Sequence, residues 1–401
     1  MKRSFRGRGL RTALTLAAIG TAGATVLGTS AFAAASSSAR TSTACISKTA
    51  PPTHVGRIGG IMGARPSAAC ASFVSGRAIT KSGDLANGSP PLIWHGGAVM
   101  GTPLTGALTV TPIFWSPVGH TPMASSYKNL ITKYLNDVAA ASGQNSNVFS
   151  VASEYSGTDG QITYKFKVGT PITDKNPLPA SGCKVATTDH ANIYADGTGY
   201  SSCLDDNQVI AETEAVVAAN HLPKNFAHIY VLYLPKHTES CFFAGSTTTS
   251  ANACTINNQP SAAYCAYHSF VPEAAGQSLI YANMPFPIYL SKTGFTCGTD
   301  VNFPGVIESP NNNPDADTEI SPSSHEINEA WTDPDTTSGY FDIVGFENGD
   351  ECAYIFGTTH GAAGAFYNQT INGHHYLTQE EFSNKSFFAS GGGCLQGEGD
   401  A

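Results

Sequence analysis

Positive charge is scarce in this chain. Its 401 residues include 21 Lys and Arg against 30 Asp and Glu, and charged residues of all kinds make up only 13%. A surface so poor in cations cannot displace the counterions of a nucleic-acid backbone, which argues against nucleic acid as a partner. A Gly-x-Ser-x-Gly elbow and a glycine-rich phosphate loop are both missing, so serine-hydrolase and nucleotide-binding readings find no support. No Cys-x-x-Cys pair occurs, which speaks against a thiolate zinc site. There is no internal repeat. Beyond the N-terminus, no segment approaches the ~20 apolar residues that a membrane-crossing helix needs.

What is there begins with an export signature. Lys2, Arg3, Arg6, Arg8 and Arg11 precede an Ala/Leu/Gly-rich run from Thr12 to Gly28, which ends in Ser30-Ala31-Phe32-Ala33-Ala34. A basic region, an apolar run and a small-x-small site predict a secretory signal over residues 1–33, cut after Ala33. The competing reading, an uncleaved membrane anchor, is disfavoured by the glycines within the run and the Ser-rich chain after it. No arginine pair is present, so the general secretory route is expected. Loss of the five basic residues takes the net charge from −9 to −14. A chain of that charge suits a soluble exoprotein, and one that binds cations. A monomer with no membrane contact after cleavage is expected.

Ten cysteines follow the signal, and an even number in an exported chain predicts disulfides. Local closures Cys45–Cys70, Cys183–Cys203 and Cys352–Cys394 are expected, with Cys241, Cys254, Cys265 and Cys297 pairing among themselves. Residues 34–89 are rich in Ser, Ala, Gly and Thr and read as a flexible lead-in or propeptide. Residues 90–401 are long enough for a single extracellular domain.

Within that domain strand and helix patterns alternate. Leu108, Val110, Pro112 and Phe114 mark a strand ending near Trp115, and Ile162, Tyr164, Phe166 and Val168 mark another. Tyr127, Leu130, Ile131, Tyr134, Leu135 and Val138 predict a helix over 124–141. Asp205 or Asp206 can cap a helix bearing Ile210, Val216 and Val217. Ile229–Leu234 reads as a strand buried on both faces, and Leu279–Met284 as a further strand. The fold class is therefore α/β or α+β: a mixed sheet flanked by helices, loop-rich and disulfide-stapled.

The most informative stretch is 321–352. Ser323 or Ser324 can cap a helix that stops before Pro334, and on it His325 and Glu329 leave the same face one turn apart. A His and a carboxylate so placed can grip a divalent metal. Glu326 stands where the HExxH helix of zinc peptidases holds its general base. Replacing the second His by Glu329 weakens the Lewis acid and opens the site to calcium or manganese as well as zinc. A third ligand can come from Asp335 or from Glu347, with Asp350 orienting a ligand from behind. Equally, HExxE occurs by chance on solvated helices, and Thr332-Asp333-Pro334-Asp335 is a natural helix-stopping turn. Elsewhere, Cys265 reads as half of a cystine, His268 as a core hydrogen-bonding residue in preference to an extra ligand, and His374-His375 as an exposed strand or loop.

Ser324-His325-Glu326-Ile327 with Glu329, then Asp333-Pro334, Tyr340-Phe341 and Glu347-x-Gly349-Asp350-x-Cys352, resembles the signature of the phosphate-induced/exordium-like family of secreted proteins. In the same order stand Trp94-His95-Gly96-Gly97-Ala98-Val99-Met100, Tyr264-Cys265-Ala266-Tyr267-His268, Tyr281-Ala282 and Glu381-Phe382-Ser383-Asn384 before Cys394. The resemblance spans roughly residues 91–396. It implies a secreted domain in which the His-Glu helix and the Glu-x-Gly-Asp loop belong together, and it brings no established reaction. Because the signature includes Glu347 and not Asp335, it favours Glu347 as third ligand. The extra loop Asp342–Phe346 departs from it and bears on where Glu347 falls.

Two functions follow as expectations. The first is a secreted metal-dependent hydrolase acting on peptides or proteins, with His325, Glu329 and Glu347 holding Zn2+ and Glu326 as catalytic base. The alternative is a non-enzymatic exordium-like extracellular or cell-wall protein whose acidic cluster holds a structural ion such as Ca2+. The 16 Tyr, 20 Phe and 3 Trp would then suit a carbohydrate-facing surface, though an ordinary core uses them too.

Overall fold

A computed structural model describes residues 58–62, 65–66, 84–185, 197–246, 253–255, 264–273, 278–287, 295–299, 301 and 307–400. The expected signal and the Cys45–Cys70 closure lie outside them.

One mixed sheet organises the chain, built from β1 (Ile58–Met62), β2 (Leu108–Trp115), β3 (Phe166–Val168), β4 (Ile172–Asp174), β5 (His228–Tyr233), β6 (Ala266–Pro272) and β7 (Ser278–Met284). The spatial order is β1-β6-β7-β5-β2-β3, with β4 also pairing β2. Strands β7, β5, β2, β3 and β4 run parallel to one another, whereas β6 pairs antiparallel with β7 and β1 antiparallel with β6 at one side. The helices are α1 (Ser125–Ala140), α2 (Asp206–Ala219), α3 (Pro314–Thr332), α4 (Asn348–Glu351) and α5 (Asn384–Ser390).

Strand β5 shows why the sheet is covered on both faces. Ile229, Val231 and Tyr233 pack into one apolar cluster with α1 and α3, while Tyr230, Leu232 and Leu234 pack into a second with α2. Period-two alternation with no polar face is what a doubly covered parallel strand requires. The expected mixed sheet with helices is thus present, together with four cystines among the described residues: Cys183–Cys203, Cys241–Cys254, Cys265–Cys297 and Cys352–Cys394. Asp205, not Asp206, caps α2: its carboxylate accepts from the Gln208 backbone N–H at 3.1 Å, and Gln208 answers in a capping box.

Two expectations need adjustment. Ile162–Val168 pairs as a strand only over Phe166–Val168, because Thr163 instead gives its backbone N–H to Gly101 O at 2.9 Å. More consequential is α3, which begins at Pro314 and not at Ser323 or Ser324. Pro322 reads as a helix breaker in sequence, since it removes one donor and crowds the preceding turn. Here it lies inside the helix, and every residue from Ala316 to Thr332 is buried. The start is set by Pro314 in the first turn and by Asp317, which accepts from Ser309 Oγ (2.6 Å), Asn311 N (3.1 Å) and Asn313 N (3.3 Å). Packing around the whole length of α3 outweighs the local cost of the proline.

Candidate metal centre

Three elements converge beside β6. The first is β6 itself, which buries His268 opposite Ala282 of β7 on one side and Gly59 of β1 on the other. The second is the last two turns of α3, carrying His325, Glu326 and Glu329, all fully buried. The third is α4, capped by Glu347 and bearing Asp350 in its first turn.

His268 is held in one orientation. Its Nε2 lies 2.9 Å from the Asp333 carbonyl, and a carbonyl can only accept, so Nε2 carries the proton. In the neutral ring the Nδ1 lone pair then faces Glu326 Oε2 at 3.5 Å and Glu329 Oε2 at 3.8 Å. Two donors on one tetrahedral ion with ~2.0–2.1 Å bonds stand ~3.3–3.4 Å apart, close to these spacings. A metal-bound His commonly donates its other N–H to a backbone carbonyl, as His268 does. His268, Glu326 and Glu329 therefore form a group able to hold a metal ion.

A second group shares Glu329. His325 Nε2 lies 2.8 Å from Glu329 Oε1 and 3.7 Å from Asp350 Oδ1, and Glu329 Oε1 also accepts the Asp350 backbone N–H at 2.9 Å. Here the proton sits differently. Gln379 Oε1 accepts the Tyr354 N–H at 3.2 Å, which turns its amide nitrogen toward His325 Nδ1. With Nδ1 accepting, neutral His325 carries its proton on Nε2, which lies beside Glu329 but is not aligned for a hydrogen bond to it. Burial holds the His325 pKa down to about 4, against the upward pull of Asp350 and Gln379, so the ring is neutral.

Carboxylates crowd the same space. Burial, then the charge of Glu329, pushes Asp350 well above the usual carboxylate range, and burial with Glu329 and Asp350 does the same to Glu381. Several buried acids that raise one another are the environment a cation relieves. A third group, the sulfurs of Cys183, Cys203 and Cys241, offers nothing, because these atoms are in cystines.

The expected residues are distributed as follows. His325 and Glu329 come together, and Glu326 joins Glu329 at His268. Glu347 Oε2 lies 3.7 Å from His268 Nε2, on the far side of the ring from Nδ1, and belongs to neither three-residue group. The extra loop folds on itself: Asp342 Oδ1 accepts from Val344 N and Phe346 N, each at 2.8 Å, so it bulges outward and returns the chain at Glu347. Asp335 serves a turn, accepting from Thr337 and Ser338. His374-His375 is an exposed strand, as expected. His268 is the buried hydrogen-bonding residue expected, on Asp333 O, and it also joins a three-residue group with Glu326 and Glu329. Sequence reasoning missed Gln379, and nothing in its local pattern marks it.

Gly349 is the point of closest approach between α4 and α3. A Cβ there would lie 2.7 Å from His325 Nδ1 and 2.9 Å from Glu329 Oε1. Gly349→Ala is expected to push α4 off α3, destabilising the fold by about 1–3 kcal/mol and weakening metal retention. Thermal unfolding and metal content together check this. An unchanged protein would mean that α4 moves freely.

Comparison with family models, with curated proteins and with solved structures returns no match for this chain.

Proposed function

We propose that this protein is a secreted metal-dependent hydrolase acting on peptides, with one Zn2+ held by His268, Glu326 and Glu329. The observation that carries the reading is the placement of His268, with Nε2 2.9 Å from Asp333 O and Nδ1 toward two carboxylates. An imidazole donor favours zinc over calcium, which prefers oxygen throughout. The ion would supply Lewis acidity and a water ionised near neutral pH. The chain supplies the rest. Glu326 becomes a ligand, in place of the basic role its HExxE position implies. Asp350, whose carboxyl burial and then the charge of Glu329 push upward, stands beside the shared Glu329 with His325. The exported compartment rests on the N-terminal signature, and the four cystines agree with it.

One observation favours the second reading, a structural cation in a non-enzymatic, exordium-like exoprotein. His268, His325, Glu326, Glu329 and Glu347 all show 0% exposure, which leaves no open approach for substrate.

Glu326→Gln separates the alternatives. Metal content by mass spectrometry and turnover of a saturating peptide mixture are measured on wild type and variant. The expected result is one zinc per wild-type chain, metal-dependent turnover, and loss of both in the variant. A variant that keeps its zinc and loses turnover alone returns Glu326 to the role of base. Bound metal without turnover in any form supports the structural ion, and a wild type that binds no metal ends both readings.

A further inference from the structure

One strand lies against all three elements of the site. Strand β1 is the outermost strand, and without it β6, which carries His268, would be the sheet edge. β1 runs antiparallel along β6, pairing Ile58 with Ser269, Gly59 with His268, Ile61 with Tyr267 and Met62 with Ala266. The register breaks between Gly59 and Ile61, at Gly60 beside His268. The same strand packs against α3 and α4, the two helices that supply the carboxylates. It comes from the Ser/Ala/Gly-rich lead-in, outside residues 90–401, where all the donors lie.

An extended five-residue segment, added antiparallel to an edge strand and crossing a metal-binding His at two glycines, has the geometry of a peptide bound by strand addition. In that mode backbone hydrogen bonds give affinity to any extended chain. Glycines at the crossing bring bare backbone closest to the donors.

We propose that the edge of β6 is the binding site for an extended peptide substrate, and that Ile58–Met62 fills it in cis and keeps the enzyme latent. The proposal rests on the hydrolase reading for its chemistry but not for the docking itself. Displacing β1 bares the β6 backbone and opens a path to His268, Glu326 and Glu329. A segment on the same chain competes at a high effective concentration, so a peptide in solution is excluded until the segment leaves.

Two altered full-length chains test this. Ile61→Pro disrupts strand pairing at its centre, and a site for a sequence-specific protease inserted after Gly76 allows the lead-in to be cut after purification. The probe is a fluorescent peptide of residues 57–65, with binding read by anisotropy and turnover read on casein, both at matched metal content. The expected result is at least about tenfold tighter peptide binding and at least about tenfold faster turnover in both altered chains than in the intact one. If Ile61→Pro does not fold, the cut chain decides. Unchanged peptide binding in a folded, cut chain overturns the proposal, even where metal-dependent turnover is present and the hydrolase reading stands. Tighter binding with metal bound and no turnover keeps the docking edge and removes the hydrolase.

Discussion

His268→Ala is expected to empty the metal centre, while His325→Ala leaves it largely filled. The two imidazoles are equally buried and lie within reach of the same Glu329, yet their protons differ. His268 gives Nε2–H to Asp333 O and turns a lone pair to Glu326 and Glu329. His325 accepts from Gln379 at Nδ1 and so has no lone pair left at Nε2, the nitrogen beside Glu329. Losing a residue that merely orients a ligand costs about 10–100-fold in metal affinity, so losing the ligand itself should exceed about 100-fold. The alanine also removes the hydrogen bond to Asp333 O, which costs about 0.5–1.5 kcal/mol apart from any metal. Zinc per chain after dialysis, and titration of the stripped proteins, give the comparison. Should His325→Ala lose the ion and His268→Ala keep it, the ion belongs to His325, Glu329 and Asp350.

Removing the metal is expected to reverse how stability depends on pH. Asp350 and Glu381 have folded pKa values well above their unfolded ones, because burial and neighbouring carboxylates disfavour their charge. A raised folded pKa means that the folded state holds more protons. Its stabilising contribution is present below the ordinary carboxylate range and is lost as pH rises through the raised values. The stripped protein should therefore melt at a lower temperature at pH 8 than at pH 5. The metal-loaded protein should move the other way, because deprotonated donors bind the ion more tightly. With the ion a thousandfold above its dissociation constant, binding adds about 4 kcal/mol. That corresponds to a rise in Tm on the order of 10 °C for a large domain. Calorimetry of both forms across this range checks the claim. A stripped form whose Tm climbs with pH would mean that no such carboxylate cluster is buried.

Much of the scaffold could be read directly, and the reason is local. The alternation in Leu108–Trp115, the unbroken apolar run at Ile229–Leu234 and the helical spacing of Tyr127 to Val138 each carry their own period, and each element forms where its period lies. The four cystines among the described residues join cysteines that were expected to pair. The early start of α3 was hidden by Pro322, because a breaker is judged by its immediate turn and the compensating burial comes from distant elements. The candidate site was half visible for the same reason. His325, Glu326 and Glu329 lie within two turns, so their shared helix shows in the spelling. His268 reaches Glu329 only because β6 is placed against α3, and a Cys-Ala-Tyr-His stretch says nothing of that neighbour. Gln379 is a plain amide in sequence, and it matters only through the proton it imposes on His325. The lead-in shows in composition as an unstructured prelude, and Ile58–Met62 gains its strand by borrowing the edge of β6.

The cystines also set an order of events. Cys265–Cys297 is anchored three residues before His268, and Cys352–Cys394 two residues after Asp350. Both banks of the centre are thus tethered close to the donors by a cystine as well as by packing. An ion bound there is accordingly expected to be held best once both bridges have closed, in whatever compartment oxidises them. Metal retention then serves as a certificate of correct oxidative maturation, and chains with scrambled bridges should emerge empty.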